Sequence, residues 1–228
     1  MVHIKKLKII MISIILAVIA LIPNNVLADG PSYDITNYDM DAYIQEDGTI
    51  HIDESITYYF SSSANGLTRD LRYFYKTNKD SMEPNSARYQ ATGIENITVA
   101  VTNPANITTN FTKASNAEKG DNGVYTVDAV NADRTDGYDI MVYSPISSNN
   151  FQTVHYSYDI TDAVVQYNDM SEIYYNFIGN GIETDVDEFN LDIYLPKSIN
   201  MDDVKYYPHT YATKLEDIQV MLDSASNC

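Results

Sequence analysis

The sequence predicts an all-β protein, an antiparallel β-sandwich of immunoglobulin-like or jelly-roll-like type, preceded by an N-terminal signal helix. Three observations lead there. Apolar and polar residues alternate with a period of two in segment after segment. Gly, Asn, Asp and Pro separate those segments. Tyrosine is abundant at 20 residues while tryptophan is absent, and aromatic and β-branched side chains suit a pleated, half-buried surface.

The chain begins with Lys5, Lys6 and Lys8 and carries no acidic residue before Asp29. An apolar run from Ile9 to Ile22 follows, broken only by Ser13, and then Pro23 and the small-residue stretch ending at Ala28. Basic, apolar and small-residue regions in that order form a secretory signal peptide. A spanning helix needs roughly 20 apolar residues, and this run is shorter and stops at a proline. The expected organisation is a signal peptide over 1–28, a sandwich over 29–200 and an incomplete C-terminal extension over 201–228.

Cleavage after Ala28 removes the three lysines and takes the formal charge from −18 to −21. Such a surface repels nucleic acid and anionic lipid, and favours cations, cationic proteins or neutral glycans. The single cysteine, Cys228, allows no intramolecular disulfide, so the core alone must hold an exported domain.

The clearest strand covers Thr49 to Phe60, with Ile50, Ile52, Ile56, Tyr58 and Phe60 on one face. Before it Tyr38, Met40, Ala42 and Ile44 alternate, and Asp47-Gly48 between the two strands suits a tight hairpin. Further strands are expected around Ile97 to Val101, Val124 to Val127, Tyr138 to Tyr143, Val154 to Ile160, the aromatic run Glu172 to Ile178, and Leu191 to Leu195. Lys76 to Gln90 and Asn103 to Gly123 read as long loops, which are functional or mobile. Asn96, Asn106 and Asn110 begin Asn-x-Thr triplets, expected by chance in so Asn-rich a chain.

Glu54 falls on the apolar face of its strand, where a carboxylate must be paired, protonated or at the rim. Arg69 or Arg72 is its expected partner. Alternatively, Arg69 and Asp70 sit in an exposed loop and grip a carboxylate or glycan hydroxyl. Asp39/Asp41, Asp133/Asp136 and Asp185/Asp187 offer hard oxygen ligands for calcium, though none completes an EF-hand loop. His51 and His155 fall on the polar phase of their strands, without zinc spacing. No nucleophile triad, phosphate loop or pair of carboxylates singled out for glycoside hydrolysis is present.

Several of these segments together resemble a known family. Glu46-Asp47-Gly48, Glu54 to Tyr58, Asn65-Gly66-Leu67-Thr68-Arg69-Asp70-Leu71, Tyr156-x-Tyr158 with Ala163-Val164, Glu172 to Gly181, and Tyr194-Leu195-Pro196 follow one another as in the N-terminal part of the YciQ-like predicted membrane proteins. The likeness covers roughly Tyr33 to Pro196. The family pattern has Trp where this chain has Tyr175, another aromatic at Ile182, and Pro near Asp185. The resemblance implies a signal peptide, an exported β-domain and then transmembrane helices with a low-complexity tail, so this chain is similar to a truncated member or a split-gene fragment. It implies membrane association and supplies no chemistry.

The resulting expectation is a non-enzymatic binding or sensory module at the extracellular face of the membrane, with an unknown protein or glycan partner. Its expected contact surface is Ser61 to Asp70 and Gly179 to Asp187, with Asn65, Gly66, Arg69, Asp70, Asn176, Gly179, Asn180 and Gly181 as interaction residues. A calcium-stabilised adhesin-like binder is the alternative, and a secreted glycoside hydrolase a more remote one.

Overall fold

A computed structural model describes residues 32–75, 91–131, 135–179, 181–182 and 184–205. Met1–Ser32 and Tyr33–Cys228 are separate units, and the architecture below is that of the second. The expected signal helix, the 76–90 loop and residues 206–228 lie outside the described residues. Within them no helix is long and apolar enough to cross a membrane.

The regular structure of the described chain is almost entirely strand: β1 (Tyr33–Ile44), β2 (Ile50–Phe60), β3 (Ala64–Tyr75), β4 (Gly93–Thr102), β5 (Thr108–Asn110), β6 (Thr112–Lys113), β7 (Val124–Asn131), β8 (Thr135–Ile146), β9 (Asn150–Thr161), β10 (Val164–Gln166), β11 (Ser171–Ile173) and β12 (Phe189–Tyr194), with one 3-10 turn at Met201–Asp203. They form a six-stranded sheet in the order β12-β1-β2-β9-β4-β5, a four-stranded sheet in the order β3-β8-β7-β6, and a ribbon of β10 and β11. Two packed sheets are the sandwich the alternation predicts.

The inward faces make the core. Ile50, Ile52, Ile56, Val154, Tyr156, Tyr158 and Ile160 from the large sheet are buried together with Leu67, Leu71, Ile140 and Val142 from the small one. Each such side chain contributes about 1.5–3 kcal/mol through its burial. That driving force is what a chain without a disulfide relies on. The hairpin between β1 and β2 closes where Gln45 donates to the Thr49 carbonyl at 2.9 Å, which sets Asp41 opposite Asp53 and Met40 opposite Glu54.

Three expectations need correcting. Asn65 to Asp70 is not a loop at the sandwich end but the first half of β3, with Gly66 to Asp70 paired along β8 and Asn65 at a bulge. Gly66 is required there because a side chain would meet the Val142 carbonyl oxygen at 1.9 Å, so the glycine serves close strand approach rather than a turn. The aromatic run Glu172 to Ile178 keeps strand geometry only to Ile173 and continues as irregular backbone. Finally, the last strand is not antiparallel: β12 lies parallel to β1, Leu191 beside Met40.

Candidate functional site

The interior of the sandwich holds a charged group. Glu54 and Arg69 are exposed by only 2% and 3%. Arg69 Nε donates to Glu54 Oε1 at 2.8 Å and Nη2 to Oε2 at 3.0 Å, a two-pronged contact. Tyr38 donates to Glu54 Oε2 at 2.5 Å and accepts from Arg69 Nη2 at 2.7 Å. Of the two arginines expected beside Glu54, the structure selects Arg69. Burial pulls the Arg69 pKa down, and the Glu54 charge, Tyr38 and the hydrogen bond to Glu54 together outweigh that and lift it well above its ordinary value. On the Tyr38 phenol burial acts in the opposite sense and raises the pKa.

The rest of the guanidinium holds the chain that follows β11. Arg69 Nη1 donates to the Ile178 carbonyl at 3.1 Å and to that of Asp70 at 3.2 Å, and Nη2 reaches the Phe177 carbonyl at 3.4 Å. Asn176 caps the turn by accepting the Gly179 N–H at 3.1 Å. Gly179 has φ +83, and a side chain there would meet Arg69 Nη1 at 2.8 Å; one at Gly181 would meet the Asp70 carboxylate at 2.6 Å. Thus Arg69, Asp70, Asn176, Gly179 and Gly181 come together as a lock, from segments more than a hundred residues apart. Asn65 stands exposed and Gly66 part-buried in β3, and Asn180 lies outside the described residues. A buried cation needs all its N–H groups satisfied, and here it finds them on a carboxylate, a phenol and backbone carbonyls.

Sequence reasoning missed the outward face of the six-stranded sheet. Its register rows run Asp192–Asp41–Asp53–Ser157–Thr98, then Tyr194–Tyr43–His51–Asp159–Glu95 on one side and Asn190–Asp39–Ser55–His155–Ala100 on the other. Ser55 Oγ lies 2.7 Å from His155 Nδ1, and His155 Nε2 2.8 Å from Thr102 Oγ1. Burial lowers the His155 pKa. His51 Nδ1 lies 2.6 Å from Asp159, which also accepts from Asn96 at 2.6 Å. Burial alone would raise the Asp159 pKa, but those hydrogen bonds and the His51 charge bring it down. Burial raises Asp41, with Asp192 and Asp53 adding to it.

Small side chains at Ser55, Ala100 and Ser157 adjoin a hollow of about 520 Å³ that Asp53, Asn110 and His155 also line. Stacked Tyr43 and Tyr194, 4.6 Å between centroids, and the pair Tyr59 and Phe151, 4.9 Å, stand at opposite ends of the face. Only the β1–β2 half of this pattern was legible beforehand, because a hairpin fixes its own register while a distant strand does not.

Neither calcium pair that lies within the described residues gathers a third ligand there. Asp39 and Asp41 sit on one strand face, Asp185 and Asp187 are exposed, Asp133 lies outside the described residues, and among the described residues no three metal-ligating side chains converge.

Among curated proteins none matches this chain. Solved structures similar to it include an M1 zinc metallopeptidase from Deinococcus radiodurans, at 11% identity and a TM-score of 0.29, covering 57% of this chain and 20% of that one. A variant of that enzyme bound to a Tyr-Ser-Ala substrate gives 11% and 0.30, covering 59% and 22%. A Legionella pneumophila protein provisionally described as nutrient binding gives 8% and 0.33, covering 58% and 40%. The chain therefore spans well under two thirds of each neighbour, and TM-scores this low carry no argument about activity. The family model is different in kind, since it matches residues 34–224 and so takes in both the β3 segment and the loop that Arg69 holds. This chain belongs to the family of N-terminal domains of predicted membrane proteins known as DUF2207.

Proposed function

We propose that this domain is an exported binding module, working on the outer side of the membrane, and that its contact surface is the outward face of the six-stranded sheet. The observation that carries the reading is the contrast between the two candidate surfaces. Arg69, Asp70, Gly179 and Gly181 are committed to internal contacts, whereas the outward sheet face presents a hollow of mixed polar and apolar lining between aromatic pairs. A rigid scaffold carrying a shaped, partly aromatic surface suits recognition. The leader sequence and the predicted-membrane-protein family support the location.

Two measurements test it. The full chain fused after Cys228 to an alkaline phosphatase that is active only outside the cytoplasm should be active, and Leu16→Arg in the leader should silence it. A photo-crosslinking residue at Thr153, on the outward face, should give adducts in intact cells that one at Thr68, on the other sheet, does not. An inactive fusion, or equal labelling at both positions, refutes the proposal.

A further inference from the structure

The two sheets carry the same unfavourable pattern and resolve it differently. On the four-stranded sheet Asp70, Asp139 and Asp128 lie directly opposite one another across β3, β8 and β7. Arg72 neutralises that row from within, 2.6 Å from Asp139 and 3.4 Å from Asp70. On the six-stranded sheet Asp192, Asp41 and Asp53 line up in the same way across β12, β1 and β2. Like charges directly opposite destabilise a sheet. Yet among the described residues no lysine or arginine stands in that row or in the rows beside it, which add Asp39, Asp159 and Glu95. The polar contacts of these carboxylates are with His51, 3.5 Å from Asp53 and 2.6 Å from Asp159, with Tyr194, which hydrogen-bonds Asp41, and with the amides of Asn37, Asn190 and Asn96, which donate to Asp39 and Asp159.

We infer that the missing cation comes from a partner, and that the outward face of the six-stranded sheet binds a lysine- or arginine-rich polypeptide segment in extended form. This rests on the binding-module reading and names the partner's chemistry. Charge complementarity is the first argument, since Asp39, Asp41, Asp53, Asp159, Asp192 and Glu95 gather on three adjacent rows of this face. Geometry is the second. Neighbouring strands are about 4.8 Å apart, so the three carboxylates extend over roughly 10 Å, far beyond what one metal ion with ligands at about 2.4 Å can gather. An extended peptide places alternate side chains about 7 Å apart on one face, the spacing at which Asp39 and Asp41 follow one another along β1. The aromatic pairs at the ends, Tyr43 with Tyr194 and Tyr59 with Phe151, add ring faces over which an ammonium or guanidinium group is attracted. The hollow beside Asp53 accommodates the stem of a long side chain.

A fluorescein-labelled peptide of alternating lysine and threonine, titrated with the full chain at about 50 mM salt, where screening is still weak, is the direct probe. Binding should weaken by about tenfold in the double variant Asp41→Asn, Asp192→Asn, the loss expected for two charge contacts. It should be unchanged in Asp202→Asn, Asp203→Asn, which lowers the net charge equally on exposed residues outside the sheet. The first variant removes repulsion and should melt no lower than the parent, so lost binding cannot be lost folding. Equal weakening in both variants reduces the effect to net charge and overturns the inference. So does absence of binding, or displacement of the peptide by millimolar calcium with a saturable heat of calcium binding. If the peptide fails while the Thr153 adduct persists, the partner's chemistry is wrong and the module stands; if export fails while the peptide binds, the reverse holds.

Discussion

Arg69 lies across Glu54 with both partners enclosed between the sheets, Nε to Oε1 at 2.8 Å and Nη2 to Oε2 at 3.0 Å. Its outer nitrogens take the carbonyls of Phe177 and Ile178. One side chain thus joins β2, β3 and the segment after β11.

Breaking that pair from one side should be severe. Arg69→Met leaves the Glu54 carboxylate buried without its cation, and loss of one member of a buried pair costs about 3–5 kcal/mol. The double variant Arg69→Met, Glu54→Leu should lose less than the sum of the single changes, because neither charge is then stranded. Urea unfolding of the three variants measures the coupling, and additive losses would contradict the pairing.

Gly179→Ala should destabilise more than Gly120→Ala. Both glycines have positive φ, +83 and +101, but only the first would press a methyl group on Arg69, while nothing lies within 4 Å of the second. The backbone cost, about 1 kcal/mol for leaving the left-handed region to a residue with a Cβ, is common to both. The difference in unfolding free energy reports the lock alone.

Alkaline pH should unfold the protein steeply. Burial raises the pKa of Tyr38, Tyr58, Tyr156 and Tyr158, so these phenols stay neutral when folded and ionise first in the unfolded chain. Their stabilisation is complete below the unfolded value near 10 and is lost as pH rises from there towards the folded values. The slope is about 1.4 kcal/mol per pH unit for each tyrosine. Phenolate absorbance at high pH should then show the exposed tyrosines titrating first and these four only as the fold is lost.

Asp41→Asn should raise the melting temperature in low salt. Burial and the charges of Asp192 and Asp53 lift the Asp41 pKa above its ordinary value of 3.8. Its unfavourable effect is therefore absent below pH 3.8 and grows as pH rises through the folded value, leaving Asp41 destabilising at neutral pH. Cross-strand pairs are worth about 0.2–1 kcal/mol, reduced here by solvent screening. The gain should shrink in 1 M salt; a substitution effect indifferent to salt would mean the row does not repel.

Alternation along each strand was enough to read the sandwich, the buried set and the unease of Glu54 on an apolar face, because side-chain direction in a strand depends only on its own parity. The hairpin turn also made the facing of Asp41 and Asp53 readable, since a short connection imposes the register. Which arginine meets Glu54, that Asn65 to Asp70 runs inside a sheet, that Gly179 packs on Arg69, and that Asp192 completes a row with Asp41 and Asp53 were settled only by tertiary structure. Those relations join residues separated by long stretches of chain, and their pairing follows from how two sheets and a parallel edge strand pack, a balance of the whole core that no local pattern encodes.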